Sequence, residues 1–231
     1  MSKRWRWWAA SLTVALSWSA IAKSFETPTP GHSMHGEVFN EGPRQAAYLM
    51  GGTGNVSFPI TTANPDAQAF FNQGVGQLHG FWYFEAERSF RQVAMLDPNC
   101  AMAYWGMACS NIENRTRGAK FIAKATEKKA TASRREQLFI DGLAEYLKDD
   151  KRKDDERRKA YIRDLEKILM EFPDDIEAKA LLCVFLYQSK SNVPISSQFA
   201  VDALLSEVFQ KQPMHPTHHY RIHLWDHIKS E

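Results

Sequence analysis

The chain has 231 residues, 44% of them hydrophobic and 24% charged, an ordinary composition for a soluble globular or solenoid protein. Lys and Arg number 29 against 27 Asp and Glu, but three of the basic residues (Lys3, Arg4, Arg6) lie within residues 1–22, which hold no acid. Without that stretch 26 basic residues face 27 acidic ones, so the net charge turns from +2 to −1 and gives no indication of a nucleic-acid partner.

Those first residues have the three-part layout of a secretory signal peptide: Lys3, Arg4 and Arg6, an apolar run from Trp7 to Trp18, and the small-x-small site Ala20-Ile21-Ala22. The run is shorter than the roughly 20 residues of a spanning helix. Residues 1–22 are therefore expected to be a signal peptide, which predicts a periplasmic or secreted protein with no stable membrane span after cleavage. From residue 23 to 63 no helical period is present, and prolines and glycines punctuate the chain. This predicts an extended arm. Its apolar residues Phe39, Tyr48, Leu49, Met50, Phe58 and Ile60 predict that part of it packs along the helices that follow.

Residues 64–231 read as helices throughout. Asn64-Pro65 supplies a cap and a first-turn proline for a helix running to about Leu78, with His79-Gly80 as the turn. A second helix runs from about Trp82 to Leu96 and stops at Asp97-Pro98. A third is expected from Cys100 to Ile112 and a fourth from Thr116 to Ala130. Ser133 and Glu136 form a capping-box signature for a fifth, reaching Lys148. The mixed charge run 148–159 reads as a solvated turn and the start of a sixth helix, which ends at Phe172-Pro173. Asp174 and Asp175 open a seventh, Ser196 or Ser197 an eighth that Pro213 ends, and a last helix starts near Pro216 and is still running at Glu231. Its residues Ile222, Leu224, Trp225 and Ile228 have nothing in sequence to cover them. That predicts a chain continuing beyond Glu231 or an edge in an oligomer.

Gly74, Ala86, Phe90 and Pro98 sit where a tetratricopeptide (TPR) repeat has its two small residues, its aromatic and its helix-ending proline. About 34 residues on, the TPR period, Phe70 maps to Tyr104 and Gly74 to Ala108, so the pattern restarts. The stretches GQLHGFWYFEAERSFRQVAMLDPNCAMAYWGMA and HPTHHYRIHLWD, with GPRQAAYLMGGTGNVSFPITT before them, resemble large secreted bacterial TPR proteins that are mostly uncharacterised. The resemblance implies an all-α, TPR-like solenoid of antiparallel hairpins, preceded by the arm. It implies no catalytic residue. Lys179, standing where an aromatic is usual, departs from the pattern.

Cys100 and Cys109 would lie on one helix about 13.5 Å apart along its axis, too far for a bond that needs Cα atoms within about 7 Å. With Cys183 they read as buried packing thiols, although an exported protein could join Cys183 to either. Eight histidines fall in three places: His32 and His35 in the arm, His79 at the first turn, and His215, His218, His219, His223 and His227 at the end. Of these, His215, His219, His223 and His227 recur every fourth residue. On a helix, positions i and i+4 stand above one another, so two imidazoles can grip one metal ion. His219 with His223, aided by His215, His227 and His79, predicts a site for Cu, Zn or Ni. The competing reading is buried hydrogen-bonding imidazoles with Asp226, Glu85 or a carbonyl as partner.

Two functions follow. An exported TPR-like scaffold would hold a protein or peptide partner, and a metal-binding protein would use the terminal histidines for Cu or Zn and could carry redox activity. No P-loop, G-x-S-x-G or HExxH is present, so the sequence leans away from an enzyme.

Overall fold

The computed structural model describes residue 42 and residues 45–148, 150–189 and 197–226, and every regular element among them is helical. The expected signal peptide, most of the arm before Gln45, and His32, His35 and His227 lie outside the described residues. Nine α-helices succeed one another there: α1 Pro65–His79, α2 Tyr83–Leu96, α3 Ala101–Cys109, α4 Arg115–Lys128, α5 Arg134–Leu147, α6 Asp154–Glu171, α7 Ile176–Gln188, α8 Gln198–Lys211 and α9 His218–Trp225.

The helix ends follow from short-range chemistry. Asn64 accepts through its side chain from the backbone N–H groups of Asp66 and Ala67, and Pro65 opens α1. Ser133 and Glu136 complete their capping box on α5. Asp175 accepts from the Ala178 N–H at 2.8 Å and starts α7. Helices α2, α6 and α8 each end just before an X-Pro pair, at Asp97-Pro98, Phe172-Pro173 and Gln212-Pro213. The residue preceding each proline leaves the helical region, with φ near −141°, −132° and −134°, as the proline ring demands. The third helix is shorter than expected, stopping at Cys109 rather than Ile112, and α9 begins at His218 rather than Pro216.

Each helix packs on the next, and α1 also touches α3, α3 touches α5, and α7 touches α9. Helix α3 is buried on every side, which its sequence AMAYWGMAC permits because it has no charge to hydrate. The Phe90 ring lies against Gly74 of α1 and Gly106 of α3, where any Cβ would collide with it. Small residues here let three helices close on one aromatic. Around it, Phe71 lies 5.3 Å from Phe90, and Phe58 lies 5.3 Å from Phe71 and 5.1 Å from Phe139.

Phe58 reaches this core from the segment before α1. Residues 46–63 contain no helix or strand, so their backbone groups need other partners, and polar side chains supply them. Gln73 accepts from the Met50 N–H and donates to the Tyr48 carbonyl, Gln68 does the same for Ile60 and Phe58, and Glu136 accepts from the Thr61 N–H at 2.7 Å. Arg135 lies over the Phe58 ring and pairs with Asp175. Phe58 is buried as its apolar character predicts, but Tyr48 and Leu49 are exposed; there Gln73 holds the chain by the Tyr48 carbonyl and the Met50 N–H rather than by side chains.

Two further expectations need correction. The charge run is not wholly solvated: Arg157 is buried and donates to the carbonyls of Tyr146, Lys148 and Asp150 and to the Asp150 carboxylate. Glu85 does not serve a histidine but pairs with Arg88. The three cysteines are free and buried. Burial pushes the Cys100 thiol up to about 12 and raises Cys109 and Cys183 as well, so none forms a thiolate near neutral pH.

Candidate metal centre

Three parts of the chain meet at the end of α1. His79 is its last residue, and the turn beyond it contains Phe81, the one non-glycine with positive φ (60°) among the described residues. That left-handed backbone is costly for an aromatic, and here it lays the Phe81 ring 4.5 Å from His219 and 6.0 Å from His223. Helix α7 brings Glu177 on its second residue, next to the Asp175 cap, with the carboxylate turned inward. After α8, Pro213 breaks the helix, His215 follows, and α9 presents His219, Tyr220 and His223.

The inner layer is His79, Glu177 and His215, at 0%, 1% and 0% exposure. A carboxylate can only accept, so His79 Nε2–H donates to Glu177 Oε2 at 2.8 Å and His215 Nε2–H to Glu177 Oε1 at 2.9 Å. On the far side of each ring stands a hydroxyl: Tyr220 lies 2.5 Å from His79 Nδ1, and Thr217 Oγ1 lies 2.9 Å from His215 Nδ1. The Thr217 backbone N–H also donates to His215 Nδ1 at 3.3 Å, which fixes that nitrogen as an acceptor. Burial would raise the Glu177 carboxyl, but the two imidazoles outweigh it and hold it at about 2. Burial lowers His79, against the pull of Glu177, and raises the Tyr220 hydroxyl well above its usual range. The cluster is thus one carboxylate held between two imidazole N–H donors, beside the positive end of α7. One ligand atom from each of the three residues lies within 4.8 Å of the others, close enough to share a metal ion.

The outer layer is the i, i+4 pair. His219 Nδ1–H donates to the His79 carbonyl at 2.9 Å, and His223 Nδ1–H donates to Asp226 Oδ2 at 2.9 Å. Both Nδ1 protons are therefore committed. The two Nε2 atoms then face each other at 2.9 Å, and only a cation between them, a proton or a metal ion, makes that separation attractive. His223 and Asp226 are partly open to solvent. His218, beside this pair, instead stacks on Phe209 at 3.8 Å and donates to the Pro213 carbonyl. A cleft of about 420 Å³ runs alongside, lined by Gly52, Gly54, Trp82, His215, His218 and His219 among others.

Of the five histidines proposed from sequence, the fold gathers His79, His215, His219 and His223 in one place, and His227 lies outside the described residues. They form two layers rather than one set. Sequence reading missed Glu177, Tyr220 and Thr217. The available signal was an acid at the head of the largely apolar α7, IEAKALLCVFL. The repeat residues serve packing: Ala86, Phe90, Tyr104 and Ala108 are all in the core. No protein-family model matches the chain, and no curated protein or solved structure matches it either.

Proposed function

We propose that this is an exported, TPR-like helical-repeat protein that binds a divalent transition-metal ion, Cu²⁺ or Zn²⁺, between His219 and His223. The observation that carries the reading is the pair of facing Nε2 atoms, each on a ring whose Nδ1–H already has an acceptor. Metal-binding histidines characteristically donate their other N–H to a carbonyl or carboxylate, and here one does each. Zinc–nitrogen bonds of about 2.0–2.1 Å at a tetrahedral angle place the two nitrogens about 3.3 Å apart, so a small rotation of either ring admits the ion. Repeat architecture is supported by contacts between neighbouring helices and between alternate ones. Calorimetric titration of tag-free, chelator-treated protein tests the reading. Wild type takes up one more equivalent of Cu²⁺ or Zn²⁺ than His219→Ala/His223→Ala; equal uptake by both proteins would overturn it.

A second reading, a scaffold for a protein or peptide partner, is favoured by Trp82 and Phe84, both more than half exposed at the start of α2. The space between α1, α2, α3, α6, α7 and α9 is not the place for such a peptide. Tyr83, Tyr161, Phe185 and Tyr220 fill it and leave only about 40 Å³.

A further inference from the structure

The inner layer has features a purely structural hydrogen-bonded cluster does not require. We infer that His79, Glu177 and His215 form a second, closed metal site, separate from the His219–His223 pair, that takes Zn²⁺ and fastens the end of α1 to α7 and to the segment after α8. This goes beyond the proposal for the outer pair and stands without it.

The first argument is donor geometry. Each carboxylate oxygen of Glu177 meets one Nε2, at 2.8 and 2.9 Å, and one ligand atom from each of the three residues lies within 4.8 Å of the others. Two imidazoles and a carboxylate are borderline donors that suit Zn²⁺, and a bidentate Glu177 completes a distorted four-coordination. Opening each contact to the roughly 3.3 Å of a tetrahedral zinc site needs about 0.5 Å of movement.

The second argument is the far side of each ring. A metal on Nε2 takes the place of the proton there, and each neutral imidazole then carries its proton on Nδ1. That proton needs an acceptor, or it is left unpaired in the interior. Both rings have one: the Tyr220 hydroxyl for His79 and the Thr217 hydroxyl for His215. A hydroxyl can donate to a bare Nδ1 or accept from Nδ1–H, so Tyr220 serves both the empty and the loaded state; at His215 the Thr217 N–H, 3.3 Å from Nδ1, has to yield to the hydroxyl when the ion binds.

Charge points the same way. Glu177 is the only formal charge in the buried cluster, and among the described residues its carboxylate is paired with the two histidines alone. A cation at its oxygens meets an anion that no lysine or arginine has claimed. The proton that leaves each Nε2 is rehoused on the same ring's Nδ1, so loading a neutral ring releases no net proton.

Co²⁺ is the probe, because its visible spectrum reports tetrahedral nitrogen and oxygen coordination. Full-length, tag-free protein is stripped with chelator, loaded with Co²⁺ or Zn²⁺, passed through a desalting column and analysed for metal. Wild type is expected to hold one more equivalent than Glu177→Gln, and His219→Ala/His223→Ala to retain one equivalent with the tetrahedral spectrum. Tyr220→Phe keeps the ring and removes the hydroxyl; it is expected to weaken zinc binding about 10–100-fold. Far-UV circular dichroism verifies that each variant is folded. If the double histidine variant holds no metal while Glu177→Gln holds as much as wild type, the inner site is refuted and the outer one stands. Tyr220→Phe binding zinc as tightly as wild type would also refute it, and no metal in any protein would refute both sites.

Discussion

Phe90 shows how single residues set this fold. Its ring is fully buried between Gly74 and Gly106, and a Cβ at Gly74 would lie 2.7 Å from the ring. Replacing a helical glycine by alanine gains about 1 kcal/mol of propensity, but overpacking a rigid core costs about 1–3 kcal/mol. Gly106→Ala is therefore expected to lower the melting temperature by several degrees, and Gly142→Ala, whose Cβ would meet Asp164 Cβ at 3.2 Å, to change it far less. Thermal denaturation of the two variants decides. A stabilised Gly106→Ala would mean that the Phe90 ring moves freely. Glu177 and His79 make the second residue-scale prediction, for metal-free protein. Both groups titrate lower than in the unfolded chain, so the unfolded state binds more protons in acid. The contribution from His79 is present above its ordinary 6.5 and is lost as pH falls from there toward its lowered folded value. That from Glu177 is present above 4.5 and is lost between there and about 2. Glu177→Gln is expected to be less stable than wild type at pH 7 and to lose less stability between pH 5 and 3. Parallel urea midpoints for the two proteins across that range would contradict it.

At the scale of elements, the helices were legible because their signals are local. Asn64-Pro65, Ser133 with Glu136, and the X-Pro pairs at 97, 172 and 212 act within one or two turns, and each helix end sits where those residues put it. The segment before α1 was legible only in part. Its lack of periodicity was plain, but its anchoring by Gln68, Gln73 and Glu136 joins residues up to 75 positions apart. Glu136 does two things at once, completing the α5 capping box and accepting from Thr61. Ser133→Ala should therefore cost about 1 kcal/mol, the worth of a cap, and leave residues 46–63 in place. Glu136→Ala should cost more and open that segment to proteolysis. Urea titration with limited proteolysis reads both, and equal protection of the segment in the two variants would count against the anchor.

Across the whole molecule, the decisive event is that His79, Glu177 and His215 meet although 98 and 38 residues separate Glu177 from its partners. Four-residue spacing showed that His219 and His223 share a helix face, because that is local geometry. Nothing local could pair His79 with an acid on α7, and for that reason the histidines looked like one cluster in sequence and are two layers in space. The account stands on those layers being metal sites and not hydrogen-bonded packing alone. Anomalous diffraction at the zinc edge, from crystals of the full chain grown with Zn²⁺, tests this most directly. The account predicts one peak bonded to Nε2 of both His219 and His223 and another among His79, Glu177 and His215. Ordered imidazoles in both layers with no anomalous density between them would contradict it.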